Sequence, residues 1–229
     1  MRVAIVGLGR MGHAVEAEAH RQGHEVVASL SGRAADQLVA EQFSHADVAI
    51  EFTRPDTAAA NVERLITLGV PVVSGTTGWD AQLPRLRELV TRRSGALLHA
   101  PNFSVGMALM TKAAALLSQH LTNLTEFDAA IHETHHRKKV DIPSGTALAL
   151  QRTLRAANPT REFPISSSRV GWVAGTHTLS LDAPFETIEL THAVRDRAVF
   201  AAGSLHAAAW LAGRSGFFTF HDMLFGGPS

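Results

Sequence analysis

The sequence predicts an α/β fold in its first half and an α+β fold in most of its second, and three observations carry that expectation. Short β-branched runs alternate with helical segments from residue 3 to about residue 103, the pattern of βαβ units building a parallel sheet. A glycine-rich turn directly follows the first of these runs. After Phe103 the alternation stops, and three strand-like segments follow one another with no helix between them.

Taken in order, "VAIVGLG" is an apolar run ending in glycines, suited to a buried parallel strand. Helical composition runs from Met11 to about Arg21, with Gly23 as the stop. "HEVVASL" and "ADVAIEFT" are the second and third strands. "TAAANVERLITLG" is a helix, "VPVVSGTT" a fourth strand, "LPRLRELVTRR" a helix and "GALLHAPNF" a fifth strand. Beyond Phe103, "VGMALMTKAAALLSQHL" is a long helix and "TEFDAAIHETHH" a strand. "SGTALALQRTLRAA" is a helix stopped by Asn158 and Pro159. "ISSSRVG", "GTHTLSLDAP" and "FETIELTHAV" are strands of a mixed or antiparallel sheet. The tail, "LHAAAWLAGRSGFFTFHDML", is expected to be helical and to pack back onto the first part. Glycines near 103–106 and 201–204 mark candidate hinges.

Composition narrows the function classes. The chain has 229 residues, with 21 basic and 21 acidic side chains, so no broad field for nucleic acid is expected. It has no cysteine, which excludes disulfides and thiolate chemistry. The N-terminal apolar run is short and broken by glycines, unlike a signal peptide. No apolar run approaches the roughly 20 residues that span a bilayer. A cytoplasmic protein that binds neither membrane nor nucleic acid is expected.

Gly7-Leu8-Gly9-Arg10-Met11-Gly12 matches G-x-G-x-x-G between a strand and a helix. Gly7 permits a tight turn, Gly9 lets backbone approach a pyrophosphate, and Gly12 allows close helix–strand packing. Free N–H groups at the helix start favour phosphate charge. A dinucleotide is the expected ligand. An NAD site commonly has a carboxylate after the second strand for the ribose 2′-hydroxyl. Here Ser31 stands in that region with Arg33 two residues on, and Asp36 is too late. A hydroxyl and an arginine suit a 2′-phosphate, so NADPH is expected to be preferred over NADH. "EFTRPD" and Gly75-Thr76-Thr77-Gly78 fall at later strand ends, where the hydroxyls can hold a polar ring substituent such as a carboxamide.

The stretch "ETHHRKKVDIPSGTA" gathers histidines and three cations before a helix start. His132, His135 and His136 are not expected to bind metal, since Arg137, Lys138 and Lys139 beside them repel a cation. The cluster offers positive charge beside a proton donor active near neutral pH. Ser144 is a natural cap, leaving the N–H groups of Gly145 and Thr146 to hold a carboxylate. A hydride donor in the first part and an acid–base cluster in the second point to a reductase of a small, doubly anionic substrate.

"ETHHRKKVDIPSGTALAL" resembles the signature of the 4-hydroxy-tetrahydrodipicolinate (dihydrodipicolinate) reductases of lysine and diaminopimelate biosynthesis. "GLGRMG", "FTRPD", "GTTG" and "APNFSVGM" appear in that family's order, and the segment from Ser167 onward is similar to its C-terminal region. The resemblance implies a Rossmann-like dinucleotide domain (1–104 and 204–229) and a substrate-binding and oligomerisation domain (105–203) that builds a homotetramer. It implies His135 as the acid–base group and Lys139 as the proton donor, with His136, Gly145 and Thr146 binding a carboxylate of a dicarboxylate ring. Gly7 to Gly12, Gly75, Thr76, Thr77, Ala100, Pro101, Asn102 and Phe103 would line NADPH or NADH.

Three departures stand out. The glycine loop is one residue shorter than G-x-x-G-R-M-G, Ser31 replaces the usual acid, and the chain is short between its second and third strands. Two other readings remain at this point. One is a two-domain NAD(P)-dependent amino-acid dehydrogenase of the aspartate or homoserine type. The other is a dinucleotide sensor without chemistry. His132, His177, His192 and His221 read as structural or surface histidines, and Arg137 and Lys138 as electrostatic support.

Overall fold

The computed structural model describes residues 1–31, 38–43 and 45–227. It divides into two compact units, Met1–Phe103 with Arg197–Ser229, and Ser104–Asp196. Among the described residues no helix is long and apolar enough to cross a membrane.

The first unit begins with β1 (Arg2–Val6), α1 (Arg10–Arg21), β2 (Glu25–Leu30), α2 (Ala40–Phe43), β3 (Val48–Glu51), α3 (Pro55–Thr67), β4 (Val72–Ser74), α4 (Leu83–Arg93) and β5 (Ala96–His99). Adjacent strands pair in parallel, in the order β5-β4-β3-β1-β2. Their near-continuous apolar character follows from having both faces covered: Val3, Val6, Val48, Ile50, Val72 and Leu97 are all buried. Proline sits in the first turn of α3 and of α4, where its missing N–H costs no hydrogen bond. Ala58, Val62 and Leu65 of α3 join Leu86 and Val90 of α4 in the core on the sheet.

The second unit runs α5 (Val105–His120), β6 (Asp128–His135), α6 (Gly145–Ala157), β7 (Ile165–Arg169), β8 (Gly175–Ala183) and β9 (Glu186–Val194). Its mixed sheet has the order β7-β6-β8-β9, with β6 and β7 parallel and the other pairs antiparallel. One face packs on the helices through Ala129, Ile131, Leu179 and Leu181, which meet Met110, Ala114, Leu150 and Leu154.

The chain then returns to the first unit as α7 (Ala198–Leu211), β10 (Gly216–Thr219) and α8 (Phe220–Phe225). Two expectations need correction here. Residues 201–204 are not a hinge between domains but lie inside α7, and the first unit resumes at Arg197 rather than at 204. Gly203 serves close packing, because a Cβ there would lie 1.8 Å from the Phe103 carbonyl oxygen. Nor is the tail helical throughout. Gly213 and Gly216 adopt positive φ, which breaks the helix, and β10 pairs in parallel with β5 at the sheet edge. Its alternation was hidden by four residues in which both faces carry apolar or small groups.

Candidate active site

In the first unit, β1 and β3 are neighbours although the chain forms β2 between them. Such a reversal of direction opens a crevice beyond the carboxyl ends of the two strands, where open parallel sheets bind ligands. Gly7 follows β1 with φ +104°, and a Cβ there would lie 2.1 Å from the Phe52 carbonyl oxygen. A Cβ on Gly12 would lie 2.0 Å from the Gly7 carbonyl oxygen. Gly9 differs, since a Cβ added to it meets nothing within 4 Å. It is exposed at the start of α1, and no side chain caps that helix. Open space before uncapped N–H groups fits a pyrophosphate. Leu8 and Met11 are half-buried on either side, and Arg10 is exposed on the first turn.

The loops beyond the strands lie in a row. Gly7, Phe52, Gly75 and Ala100 each donate one further backbone bond to the neighbouring strand, at 2.7, 2.9, 2.9 and 3.1 Å. Glu51, fully buried at the end of β3, ties two of these loops together. Its Oε1 accepts from the Thr53 N–H and the Thr76 hydroxyl, each at 2.9 Å, and from the Thr53 hydroxyl; its Oε2 accepts from Ser74 at 2.5 Å. The Thr76 carbonyl accepts from Trp79 Nε1 at 2.6 Å and faces His99 Nε2 at 3.2 Å. Burial holds His99 below the ordinary histidine range, so as a neutral ring it serves Thr76 as a donor. Thr77 and Pro101 are exposed, Asn102 is half-buried, and Phe103 packs edge-on against Phe52 and Phe220. Ser31 is exposed directly after β2, whereas Arg33 lies outside the described residues.

In the second unit the chemistry grows out of strand periodicity. Successive side chains point to opposite faces, so Ala129, Ile131, Glu133 and His135 share the buried face of β6. Leu181, Leu179 and His177 share that of β8, and the register sets Leu179 opposite Ile131 and His177 opposite Glu133. The same face is therefore apolar at one end and ionisable at the other. On the far side β7 sets Ser167 beside Glu133 and Arg169 beside His135. Glu133 Oε1 accepts from Ser167 Oγ at 2.7 Å, Arg169 at 2.9 Å and the Ser144 N–H at 2.9 Å.

Burial alone would push the Glu133 carboxyl up, but these donors outweigh it and hold the group at about 2. Its Oε2 lies 3.3 Å from His135 Nδ1 and 3.7 Å from His177 Nε2, close but out of hydrogen-bond alignment. The two rings meet edge-on, 5.1 Å apart. Burial lowers His135; Glu133 opposes that, and the Lys139 and Arg169 charges add to it. A neutral imidazole facing a fixed carboxylate can take up a proton and return it.

The Glu133, His135 and His177 ligand atoms lie within 4.8 Å of one another. Arg169 already neutralises that carboxylate, and a cation there would sit beside a guanidinium, so the cluster suits protons better than a metal. His132 points to the opposite, exposed face and bonds Ser166 at 2.6 Å.

Lys139 follows in the turn after β6, one quarter exposed, with its ammonium 2.7 Å from Asp141 Oδ1. Ser144 caps α6 by accepting from the Ala147 N–H at 3.2 Å, and its hydroxyl lies 3.2 Å from His177 Nε2. This leaves Gly145, exposed, and Thr146, half-buried, on the first turn; a Cβ on Gly145 would meet nothing within 4 Å. His136 is half-buried beside the turn, while Arg137 and Lys138 are exposed.

Burial, followed by the charge of His135, brings His177 down to about 4. A histidine with a depressed folded value stabilises the protein above its unfolded value and loses that contribution as pH falls. The melting temperature should therefore drop between about pH 6.5 and 4, reinforced by His99, His135 and His192, all lowered by burial. His177→Gln should decline less over this window; an equal decline would remove His177 from the acid response.

The sequence motifs assign no chemical role to Glu51, Glu133, Asp141 or Arg169, and His177 reads there as a structural or surface histidine, whereas it lies buried beside Glu133 and His135. Strand period two places Glu133 on the face of His135 and was available as a signal. Arg169 and His177 depend on register between strands, which a single sequence does not encode locally, whereas Asp141 makes its side-chain bonds within four residues of itself.

A crevice-bearing parallel sheet with a glycine turn, and a mixed sheet ending in buried acid–base groups, define an NAD(P)H-dependent oxidoreductase built from two units. The family model described as dihydrodipicolinate reductase, N-terminus, matches residues 1–103, and that described as dihydrodipicolinate reductase, C-terminus, matches residues 106–224. The chain belongs to the dihydrodipicolinate reductase family. It is 32% identical to the 4-hydroxy-tetrahydrodipicolinate reductase of Christiangramia forsetii and 35% identical to that of Thiobacillus denitrificans, each match covering 98% of both chains. Among solved structures, a dipicolinate-bound dihydrodipicolinate reductase from Paenisporosarcina sp. TG-14 shares the fold with a TM-score of 0.82. That match is 22% identical and covers 96% of this chain and 97% of the other.

Proposed function

We propose that the protein reduces 4-hydroxy-tetrahydrodipicolinate to tetrahydrodipicolinate, and that its second unit carries the acid–base chemistry. The observation that carries the assignment of roles is the Glu133–His135 pair at the end of β6, in the stretch that leads through Lys139 to the start of α6. A reduced nicotinamide supplies hydride to C4 of the ring. The protein's own part is to bind two carboxylates, assist loss of the 4-hydroxyl as water, and deliver a proton to the neighbouring carbon.

In this reading His135 is the acid–base group and Lys139 the proton donor. His136 and the N–H groups of Gly145 and Thr146 hold a substrate carboxylate. Gly7 to Gly12, Gly75 to Thr77 and Ala100 to Phe103 receive the dinucleotide. The open space at Gly9 and the hydroxyl network around Glu51 support that placement. A cytoplasmic location and a homotetrameric assembly complete the reading, as the family resemblance implies.

The test is an assay that generates the ring substrate from pyruvate and aspartate semialdehyde and follows loss of reduced-nicotinamide absorbance. Rapid loss only when the ring is supplied supports the proposal. No loss, from folded protein that binds dinucleotide, overturns it.

We also propose NADPH as the preferred donor, because Ser31 offers a hydroxyl where a carboxylate would repel a 2′-phosphate. Ser31→Asp should raise the KM for NADPH about tenfold or more while sparing NADH, since a like charge is then set beside the phosphate. An unchanged ratio of the two KM values would take Ser31 out of cofactor choice.

A further inference from the structure

Between His135 and α6 the chain carries a single acidic residue, Asp141. Its carboxylate joins two separate positive features. Oδ1 accepts from the Lys139 ammonium at 2.7 Å, and Oδ2 accepts from the Gly145 N–H at 3.2 Å, at the start of α6. These are two of the groups assigned above to substrate chemistry, and here one carboxylate of the protein holds both. Burial does not force this arrangement, because the Asp141 side chain is 54% exposed. Its backbone is anchored instead: Arg169, which also bonds Glu133, donates to the Asp141 carbonyl oxygen at 2.5 Å. The carboxyl is held below its ordinary range, first by the bond from Lys139, so it stays ionised and remains a full partner for the ammonium.

We infer that Asp141 is a resident carboxylate that keeps Lys139 and the Gly145 N–H aligned before substrate binds and is displaced by a carboxylate of the incoming substrate. The inference rests on the roles given above to Lys139 and Gly145, and it makes Asp141 a positioning residue that also sets specificity. No covalent bond changes; one carboxylate exchanges for another on the same donors. A ring without a carboxylate in that position leaves Lys139 paired with Asp141, so its ammonium is not released for proton delivery. Exchange is easy because a half-exposed ion pair is weak. The resident group nevertheless lowers apparent affinity by the fraction of molecules in which the donors are occupied.

The experiment is calorimetric titration of the full chain with dipicolinate, a flat pyridine dicarboxylate, using wild type, Asp141→Asn, Asp141→Ala and Lys139→Met. With no charged competitor, both Asp141 variants should bind dipicolinate about two- to fivefold more tightly, the range expected for loss of an exposed pair. General damage to the loop would weaken binding, so tightening separates displacement from a merely structural role. Lys139→Met should bind more weakly. If Lys139→Met weakens binding but both Asp141 variants match or fall below wild type, the resident-carboxylate role is wrong and the site reading stands. If Lys139→Met binds as wild type does, the site reading fails and the inference falls with it.

Discussion

Lys139→Ala should lower kcat roughly a hundredfold or more, the usual scale for loss of a positioned proton donor, while the Kd for reduced dinucleotide stays near wild type. The contrast follows from where the residues sit. Every group assigned to the dinucleotide belongs to the first unit, and Lys139 belongs to the second. Its removal also leaves Asp141 without its ammonium partner, but that pair is too exposed to carry much of the fold's stability. A thermal melt near that of wild type is therefore part of the expected result. Stopped-flow measurement of the hydride step alongside equilibrium dinucleotide binding would check it. A variant that keeps most of its turnover would remove Lys139 from the chemistry and return proton delivery to His135.

Glu133→Gln should lower both activity and stability, and the two losses have different origins. Glu133 is fully buried, and Arg169, at 11% side-chain exposure, is its partner. Removing one charge of a buried pair leaves the other uncompensated, which costs about 3 kcal/mol or more. The activity loss comes through His135. The Glu133 charge raises the affinity of His135 for a proton, against the burial that lowers it. Without that charge His135 should titrate at still lower pH, so the acid limb of the pH–rate profile should move to lower pH as kcat falls by about a hundredfold. A purely structural effect would lower the profile without displacing it. An unmoved acid limb would therefore sink the coupling between Glu133 and His135.

The elements that could be read from the sequence were those whose signal is local. The βαβ alternation, the glycine turn with its strand before and helix after, and the cap at Ser144 each depend on neighbours within a few residues. The donors and acceptors that surround His135 do not. Arg169 reaches Glu133 across 36 residues and His177 stands opposite it across 44, and both depend on the register of β7 and β8 against β6. Sequence pattern identifies those strands without fixing how they slide. The tail shows the same limit from another direction. In α7 alanines and large apolar residues occur on all sides, so the run reads as helix, and nothing in "GFFT" announces that it completes a parallel sheet with β5 more than a hundred residues earlier. Glu51 carries no local signal of its role, because an acidic residue closing an apolar strand ordinarily faces water. Here hydroxyls from two loops turn inward to meet it.

The return of the chain to its first sheet has a consequence for synthesis. The second unit is an insertion, so β5 emerges from the ribosome with its outer edge unpaired and waits for 93 residues to be made before the first unit resumes. Until α7 and β10 follow, α1 lacks the helix that packs against it and an apolar strand presents open backbone. Such edges invite pairing with other chains. The second unit contains its own core and sheet and can form during that delay, whereas the first unit is complete only after its final segment has been made.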